Sequence, residues 1–417
     1  MPETFATSAF QTVTQLAGQT AVHRAFQWFH LQEPRLRAWH RRLASIAAPP
    51  FGEAARAEWL AKQFAALGLE DIEIDACGNA TALMRGPQNG EDAGRPCTLV
   101  SAHLDTVFPA EAIGQPVQED SRLLGPGASD NCAGITALLA VAAAMQSAGL
   151  TPAGDILFAG NVGEEGEGNL RGMRHLFSGS RFAARIRAAV VLDGAGTESI
   201  VTQALGSKRF RITVNGPGGH SWTDAGVPNP ILVMANALAA IGQIELPASP
   251  RTTWSVGHIE GGTAINAIPQ QAQARIDTRS TGAAQLIALE ENIRSAFEEA
   301  VRAANRETGY AAAAAQPGLS FQMETIGERP AAELAEDAAI LSTLRAVDRH
   351  LGIRSQPRIA STDANIPLAQ GIEAVSIGSG GSGGGVHTPQ EWFDASGRDL
   401  ALRRILLLLL ALAQREI

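Results

Sequence analysis

The amino-acid sequence predicts an α/β fold in which helices cover a largely parallel sheet, with a second α+β domain inserted into it. The chain has 417 residues, more than a single hydrophobic core usually supports. In its first half, continuous apolar strands alternate with helical segments, which is typical of a parallel sheet covered on both faces. Beyond Gly206 the order becomes strand, helix, strand, strand, helix, strand, as in a ferredoxin-like unit.

The first half of the chain supplies most of the predicted sheet. Residues 34–67 show helical apolar spacing, and the alanine-rich segment after Gly134 predicts a helix that ends near Gly149. Strands are predicted at 71–74, 81–84, 97–102, 155–159 and 188–193. Because the last three are largely apolar without alternation, we expect them to be buried in the sheet.

The inserted domain is predicted from six segments. They are strand 210–214, helix 230–242, strands 252–258 and 273–277, helix 284–305 and strand 319–325. Helical and strand patterns resume after this series, so we expect one domain at 20–205 and 326–417 and the other at 206–325. The apolar run 405–413 is too short to span a bilayer and predicts a buried terminal helix.

Composition and charge limit the possible partners. The chain has 45% hydrophobic and 18% charged residues, which is ordinary for a globular protein. A formal net charge of -9 and a pI near 5.5 argue against nucleic acid and membranes as partners. Three cysteines without C-x-x-C spacing indicate no disulfide framework, and the N-terminal stretch does not resemble a secretory signal, so we expect a cytoplasmic protein.

Histidine and acidic residues follow four of the predicted strands or strand–helix junctions. They are His103, Asp105, Asp130, Glu164, Glu165 and Asp193. Because parallel strands present functional residues at their carboxyl ends, we expect these side chains to converge. Such a cluster is costly to bury without cations. Imidazole and carboxylate ligands without cysteine suit zinc, with manganese or cobalt as substitutes.

Five motifs extend this pattern over the chain from about residue 40 onward. They are SAHLDTV, GASDNCAG, GEEGEGNLRG, VLDG and GVHTPQEW, in that order. Together they resemble the di-zinc family of glutamate carboxypeptidase, aminoacylase, succinyl-diaminopimelate desuccinylase and tripeptide aminopeptidase, also called metallopeptidase family twenty. The resemblance implies a zinc-exopeptidase-like (phosphorylase/hydrolase-like) catalytic domain that carries a ferredoxin-like lid domain.

The resemblance also implies which residues bind the metals. His103 and Asp193 would bind one zinc ion, Glu165 and His387 would bind the other, and Asp130 would bridge the two. Three carboxylates against two dications leave about one positive charge, which favours a bound hydroxide.

Two further acids have implied roles beside these ligands. Glu164 would act as general base, taking a proton from the zinc-bridging water and delivering it to the leaving amine. Asp105 would orient the imidazole of His103. The family likeness further implies a non-proline cis peptide between Asp130 and Asn131.

The lid domain contributes the motifs GPGGHSW, GGTAINAIP and IDTRS. By resemblance, His220 would stabilise the oxyanion, often from the partner subunit of a homodimer formed through the lid. Asn266 and Arg279 would hold the substrate, and Gly380 and Gly381 would let backbone N–H groups approach it.

One bulky residue in the lid departs from the expected pattern. Trp222 stands where the family resemblance leads us to expect small residues. It either shapes an apolar pocket or packs in the core.

The expected activity is hydrolysis of amide bonds in small peptides or N-acyl amino acids. The TPQEW segment after His387 favours an exopeptidase or dipeptidase, and an N-acyl amino acid deacylase or desuccinylase is the alternative. A catalytically silent binding protein is a more remote alternative. A serine hydrolase is disfavoured, although residues 380–384 fit G-x-S-x-G, because the order of serine, histidine and acid is wrong for that fold.

Overall fold

The computed structural model describes residues 2–87, 94–308 and 318–415. The chain divides into two compact units. The first unit comprises Met1–Ala204 together with Glu333–Ile417, and the second comprises Leu205–Ala332. The second unit is therefore an insertion in the first.

The first unit contains nine helices of the described chain. They are α1 (Pro2–Ala17), α2 (Thr20–Leu31), α3 (Glu33–Ala44), α4 (Ala54–Ala66), α5 (Cys132–Ala148), α6 (Arg171–Ser178), α9 (Ala339–Leu351), α10 (Asn365–Ala369) and α11 (Arg398–Ala413). The segment 34–67, which shows helical spacing, forms two helices because residues 45–53, with two adjacent prolines, interrupt it.

The central sheet of the first unit has nine strands. They are β1 (Glu70–Ile74), β2 (Ala80–Met84), β3 (Cys97–His103), β6 (Asp155–Asn161), β7 (Ile186–Leu192), β8 (Ser199–Ala204), β15 (Ala332–Glu333), β16 (Gln356–Ala360) and β17 (Glu373–Ile377). Their order is β1-β2-β6-β3-β7-β17-β8-β15, with β16 also paired to β8. The four central strands β6, β3, β7 and β17 are parallel to one another, as the apolar runs predicted.

A small antiparallel sheet lies in the loops of the same unit. It consists of β4 (Val117–Glu119), β5 (Arg122–Leu124), β18 (Ser382–Gly384) and β19 (Trp392–Asp394). Sequence patterns did not predict these short strands. The serine of the G-x-S-x-G match therefore begins a short strand, and it does not lie on a turn between a strand and a helix.

Helix α5 packs against the central sheet and is almost entirely buried. The Asn131 side chain caps its first turn by accepting a hydrogen bond from the Gly134 N–H at 3.0 Å. Gly149 ends it in the left-handed conformation, with φ of 63°. The alanines let the helix approach the sheet closely, so the residues before its first turn are held at the sheet edge.

The second unit is a four-stranded antiparallel sheet with two helices. Its strands are β9 (Gly206–Asn215), β11 (Thr252–Gly261), β13 (Gln271–Ser280) and β14 (Ser320–Arg329), and its helices are α7 (Pro230–Ile241) and α8 (Ala283–Thr308). The strand order β11-β13-β9-β14 is that of a ferredoxin-like unit. A short ribbon of β10 (Gly219–His220) and β12 (Ala267–Ile268) extends beyond the sheet. Strand β14 is longer than predicted because pairing with β9 continues to Arg329.

The core of the second unit explains its alternating sequence pattern. Phe210, Ile212 and Val214 on β9 face a cluster that includes Ile293 and Phe297 of α8. From Arg209 onward, side chains of opposite parity along β9 are only partly buried. One face of the sheet is thus covered by the helices.

Helix α11 confirms the expectation of a buried terminal helix, since residues 405–413 are buried. In the described part of the chain, no helix is long and apolar enough to cross a membrane. Trp222 is 86% exposed, so of its two predicted roles core packing is wrong. It follows the short strand β10 rather than a strand of the core sheet.

Helix α11 carries a buried arginine among its leucines. The guanidinium of Arg404 forms two hydrogen bonds with the carboxylate of Asp348 on α9, at 2.6 and 2.7 Å. The hydroxyl of Ser355 also donates to this carboxylate. This pair joins the two helices that lie together in the first unit.

Replacing Asp348 by asparagine should destabilise the first unit by about 3–5 kcal/mol, because the buried Arg404 charge then loses its counter-ion. The measurement is the free energy of unfolding in urea. The double variant Asp348→Leu with Arg404→Met should recover most of the loss, since it removes both charges. A single variant as stable as the wild type would mean that Arg404 does not need this counter-ion.

Candidate metal centre

Five side chains from separate loops meet at one edge of the central sheet. His103 ends β3 and Asp193 follows β7, while Asp130 precedes α5. Glu165 lies after β6 and His387 follows β18. Strands β3, β6 and β7 are parallel and in register, so their carboxyl ends place the following residues side by side.

The geometry of the cluster centres on the carboxylate of Asp130. Its Oδ1 lies 3.0 Å from Nε2 of His103, and its Oδ2 lies 3.2 Å from Nε2 of His387. Oδ1 of Asp193 is 3.8 Å from Nε2 of His103, and Oε1 of Glu165 is 3.0 Å from Nε2 of His387. Each oxygen of Asp130 thus faces a different histidine–carboxylate pair.

Three groups of three possible ligand atoms occur among the described residues. Two of them share Asp130: one is His103, Asp130 and Asp193, and the other is Asp130, Glu165 and His387. The third is His103, Glu164 and Glu165. Within each group the ligand atoms lie within 4.8 Å of one another. Each group could hold one metal ion.

The pKa values of these side chains are shifted in the direction that favours positive charge in the cluster. Burial lowers the pKa of His103, but the surrounding carboxylates outweigh it and hold this pKa well above its ordinary value. The hydrogen bond to Asp130 raises the pKa of His387 to about 9. Burial raises the pKa of Glu165 to about 7.

These shifts fit a site for metal cations. Both imidazoles carry a proton at neutral pH when they have only carboxylates for partners, and a metal ion would replace that proton. The donor set of imidazole nitrogens and carboxylate oxygens without thiolate suits zinc, manganese or cobalt. The residues of the cluster therefore fit the cations that the sequence predicts.

Glu164 lies beside the cluster on the same loop as Glu165. Its side chain is buried, and one of its carboxylate oxygens lies within 4.8 Å of ligand atoms of His103 and Glu165. The predicted general base is thus next to the predicted metal ligands without belonging to either group that shares Asp130.

Asp105 contacts both His103 and the loop that carries Glu164 and Glu165. Its carboxylate accepts hydrogen bonds from the backbone N–H groups of Glu164 at 3.0 Å and Glu165 at 2.7 Å. Nδ1 of His103 lies 3.0 Å from the Asp105 backbone carbonyl and 3.7 Å from its carboxylate. In this geometry the carboxylate mainly fixes the Glu164–Glu165 loop, while the backbone carbonyl orients the imidazole.

Asn131 fixes Asp193 in a similar way. The peptide bond between Asp130 and Asn131 is cis, as the family resemblance implied. The Asn131 side chain donates to the Leu192 carbonyl at 2.8 Å and accepts from the Gly194 N–H at 3.3 Å. Asp193 lies between these two residues, so its backbone is held on both sides.

Glu391 and His40 hold the loop that carries Asp130. The buried Glu391 carboxylate accepts from the N–H groups of Gly127 at 3.0 Å, Ser129 at 2.7 Å and Asp130 at 2.7 Å. Nε2 of the buried His40 lies 2.6 Å from the Ala128 carbonyl. Burial lowers the pKa of His40 to about 3, so the imidazole is neutral and donates this bond. These contacts fix the loop from opposite sides.

Sequence patterns missed Glu391, His40 and Asp363. Asp363 is fully buried, and its Oδ2 accepts from the Asn161 amide at 2.6 Å at the end of β6. Burial raises the pKa of Asp363 to about 7. The only available signal was an acid or histidine within a motif or beside a helix, which is too common to single these residues out.

The second unit contains the other predicted site residues. His220 and Asn266 are both exposed, and the Asn266 backbone carbonyl accepts from the Ser221 N–H at 3.0 Å. Nδ1 of His220 accepts from the N–H groups of Trp222 at 3.2 Å and Thr223 at 3.3 Å. Nε of Arg279 donates to Asp277 at 2.7 Å on the same strand.

The predicted glycine positions lie in the first unit near Asp130. Gly380 forms an antiparallel bridge with Gly196, with N–H to carbonyl distances of 3.1 Å in both directions. Gly381 lines a cleft that Asp130 also lines. Both glycines have positive φ values, 87° and 63°, which glycine adopts without strain.

Comparison with known proteins gives the family. The model of peptidase family M20/M25/M40 matches residues 99–413. A probable carboxypeptidase of Aspergillus clavatus is 29% identical over 58% of this chain and 57% of its own length. The chain thus spans little more than half of this relative.

Solved structures resemble the whole chain. Aminopeptidase PepT from Bacillus cereus covers 91% of this chain and 99% of its own, with a TM-score of 0.72 and 20% identity. YxeP of Bacillus subtilis, described as a dinuclear metal binding peptidase, covers 91% of this chain and 98% of its own, with a TM-score of 0.64 and 15% identity. At these identities the likeness shows the fold alone. The family match over most of the chain shows that it belongs to peptidase family M20/M25/M40.

Proposed function

We propose that this protein is a metal-dependent exopeptidase or dipeptidase that hydrolyses amide bonds of small peptides. The observation that carries this proposal is the pair of three-residue groups that share Asp130, with Glu164 beside them. Two metal ions joined by one carboxylate are a frequent arrangement in hydrolases. An N-acyl amino acid deacylase or desuccinylase is the alternative activity, because the same cluster would serve it.

His103 and Asp193 would hold one metal ion and Glu165 and His387 the other, with Asp130 bridging them. Zinc suits this donor set, and manganese or cobalt could substitute for it. When bound, the ions would polarise the carbonyl of the scissile amide and lower the pKa of water at the site.

Glu164 would be the general base. Its buried carboxylate lies next to the metal ligands, and Asp105 fixes the backbone of its loop. In this role it takes a proton from the attacking water and returns it to the leaving nitrogen.

His220 would stabilise the oxyanion. Because its Nδ1 accepts two backbone hydrogen bonds, the neutral imidazole carries its proton on Nε2. The exposed ring thus presents a hydrogen-bond donor, as an oxyanion contact requires. Asn266 and Arg279 would hold the substrate, with the planar guanidinium suited to a carboxylate.

The register of the second unit favours a homodimer. Arg279 lies near one end of β13, and at the other end Gln271 pairs with Asn215 of β9. His220 lies beyond that second end, in the ribbon of β10 and β12. The eight residue steps from Gln271 to Arg279 span about 27 Å at roughly 3.4 Å each. A small substrate cannot contact both ends of one copy, so we propose that the partner subunit contributes His220 together with Asn266, whose backbone carbonyl accepts from the Ser221 N–H beside it.

The names of similar proteins support a peptidase over a deacylase, since they include a probable carboxypeptidase and an aminopeptidase. All three cysteines are free, which is compatible with the proposed cytoplasmic location. We propose no nucleic acid or membrane partner, in line with the net charge of -9.

Glu164→Gln should lower kcat by about 10²–10⁴-fold, because the proton acceptor is lost. Bound metal and the unfolding midpoint should match the wild type. The measurement is chelator-sensitive hydrolysis of di- and tripeptides by zinc-loaded protein. Glu167→Gln, an exposed glutamate of the same loop, is the matched control and should keep full activity. Substantial activity in Glu164→Gln would refute the assignment of the base.

His220→Ala should lower kcat by about 10²–10³-fold with little change in KM, because an oxyanion contact acts mainly in the transition state. Steady-state kinetics on a tripeptide tests this, with the exposed His350→Ala as control.

A mixing experiment tests whether the partner subunit supplies His220. A re-associated mixture of the Glu164→Gln and His220→Ala proteins should then regain about a quarter of wild-type activity. Half of the randomly formed dimers contain both variants, and each of these dimers has one intact site of two. Failure to complement would refute the shared site.

Glu391→Gln should weaken metal binding by about 10–100-fold, because a glutamine cannot accept all three backbone hydrogen bonds that fix the Asp130 loop. Competition with a zinc chelator measures the affinity. Glu119→Gln, an exposed glutamate on β4, is the control. Unchanged affinity in Glu391→Gln would mean that the loop keeps its shape without this carboxylate.

A further inference from the structure

A cleft in the first unit begins at the metal cluster and extends past residues that have no role in the proposed function. Its volume is about 380 Å³. Asp130 lines one part of it, and the lining also includes Gly381 and Val386 of the segment before His387. The cleft is therefore continuous with the cluster through the carboxylate that both metal-ligand groups share.

One side chain in this lining, Glu198, carries a charge outside the metal cluster. Its Oε2 accepts a hydrogen bond from the Thr197 N–H at 3.0 Å. A Cβ atom added at Gly196 would lie 2.6 Å from the same oxygen, so the carboxylate rests against the Gly196 backbone in the cleft wall. The Glu198 carbonyl accepts from the Gln356 N–H at 2.9 Å, which fixes the backbone of this residue.

Among the described residues, Glu198 has no cationic partner. Within the part of the chain that the structure describes, no lysine, arginine or histidine forms an ion pair with it, and none lines the cleft. The other carboxylate in the lining, Asp130, would be neutralised by the metals it is proposed to bind. The cleft thus presents one fixed negative charge beside the proposed catalytic centre.

We infer that Glu198 binds a positively charged nitrogen of the substrate. This inference rests on the proposed function and narrows its substrate class. An anionic group in the cleft would be repelled, and a neutral acyl group would leave the carboxylate without a charged partner. The preferred substrate is accordingly a peptide that carries an ammonium or guanidinium group, and simple N-acyl amino acids are poor substrates.

Two sources of this positive charge share the same chemistry. One is the α-ammonium group of an unblocked peptide, and the other is a lysine or arginine side chain. Three substrates separate them: Ala-Ala-Ala, N-acetyl-Ala-Ala-Ala, and N-acetyl-Lys-Ala-Ala. If the α-ammonium group binds, only the first is cleaved well; if a side chain binds, the third is cleaved much better than the second.

The test compares wild-type protein with Glu198→Gln on these substrates. Glu198→Gln keeps the size of the side chain but removes its charge. It should lower kcat/KM for the preferred charged substrate by about 10–100-fold, mainly through KM, as expected for loss of a charge-assisted hydrogen bond. The rate on N-acetyl-Ala-Ala-Ala should not change. Glu111→Gln, an exposed glutamate away from the cleft lining, is the control.

A charge-reversing variant provides a readout that a merely structural role would not produce. Glu198→Lys should lose the preference for the charged substrate and gain activity on N-succinyl-Ala-Ala relative to wild type. Metal content and the unfolding midpoint of both variants should equal those of the wild type, because Glu198 is exposed.

The outcomes separate this inference from the proposed function. If zinc-loaded wild-type protein cleaves none of the peptides, the proposed peptidase activity fails and the inference falls with it. If the wild type cleaves them but Glu198→Gln changes every rate equally, or none, the peptidase assignment stands and the role of Glu198 is refuted.

Discussion

The carboxylate of Asp130 lies between two imidazoles, with one oxygen 3.0 Å from His103 and the other 3.2 Å from His387. The loops that carry Asp193, Glu165 and His387 meet around that contact. Like-charged carboxylates repel when water is excluded, so the arrangement persists only if something fixes the loops and supplies positive charge. Protonated imidazoles can supply that charge, and the metal ions that we propose would supply it more strongly.

The loops are fixed by side chains that bind the backbone of a neighbouring loop. Asp105 binds the Glu164–Glu165 segment, Asn131 binds both neighbours of Asp193, and Glu391 binds the Asp130 loop. Since these contacts are buried or partly buried, their loss would leave polar groups without partners. The side chains that we propose as metal ligands therefore depend on residues that touch no metal.

The same edge of the first unit also carries the cleft with Glu198. If the cluster hydrolyses amides as we propose, a single fixed charge beside it would decide which amides enter, while the ligands themselves would be common to many substrates. In the second unit, the length of β13 separates Arg279 from His220. This separation is the reason why we propose a site shared between the subunits of a homodimer.

The sequence by itself determined the parallel sheet, the ferredoxin-like insertion and most residues of the cluster, because apolar periodicity and strand-end positions are local properties. His387 was predicted only through the resemblance to a known family. It could not identify Glu391, His40 or Asp363, whose hydrogen-bond partners lie far away in sequence. It also left Trp222 undecided between core and surface, and it did not single out Glu198. Burial and the pairing of distant loops depend on how the whole chain packs, so only the tertiary structure decided them.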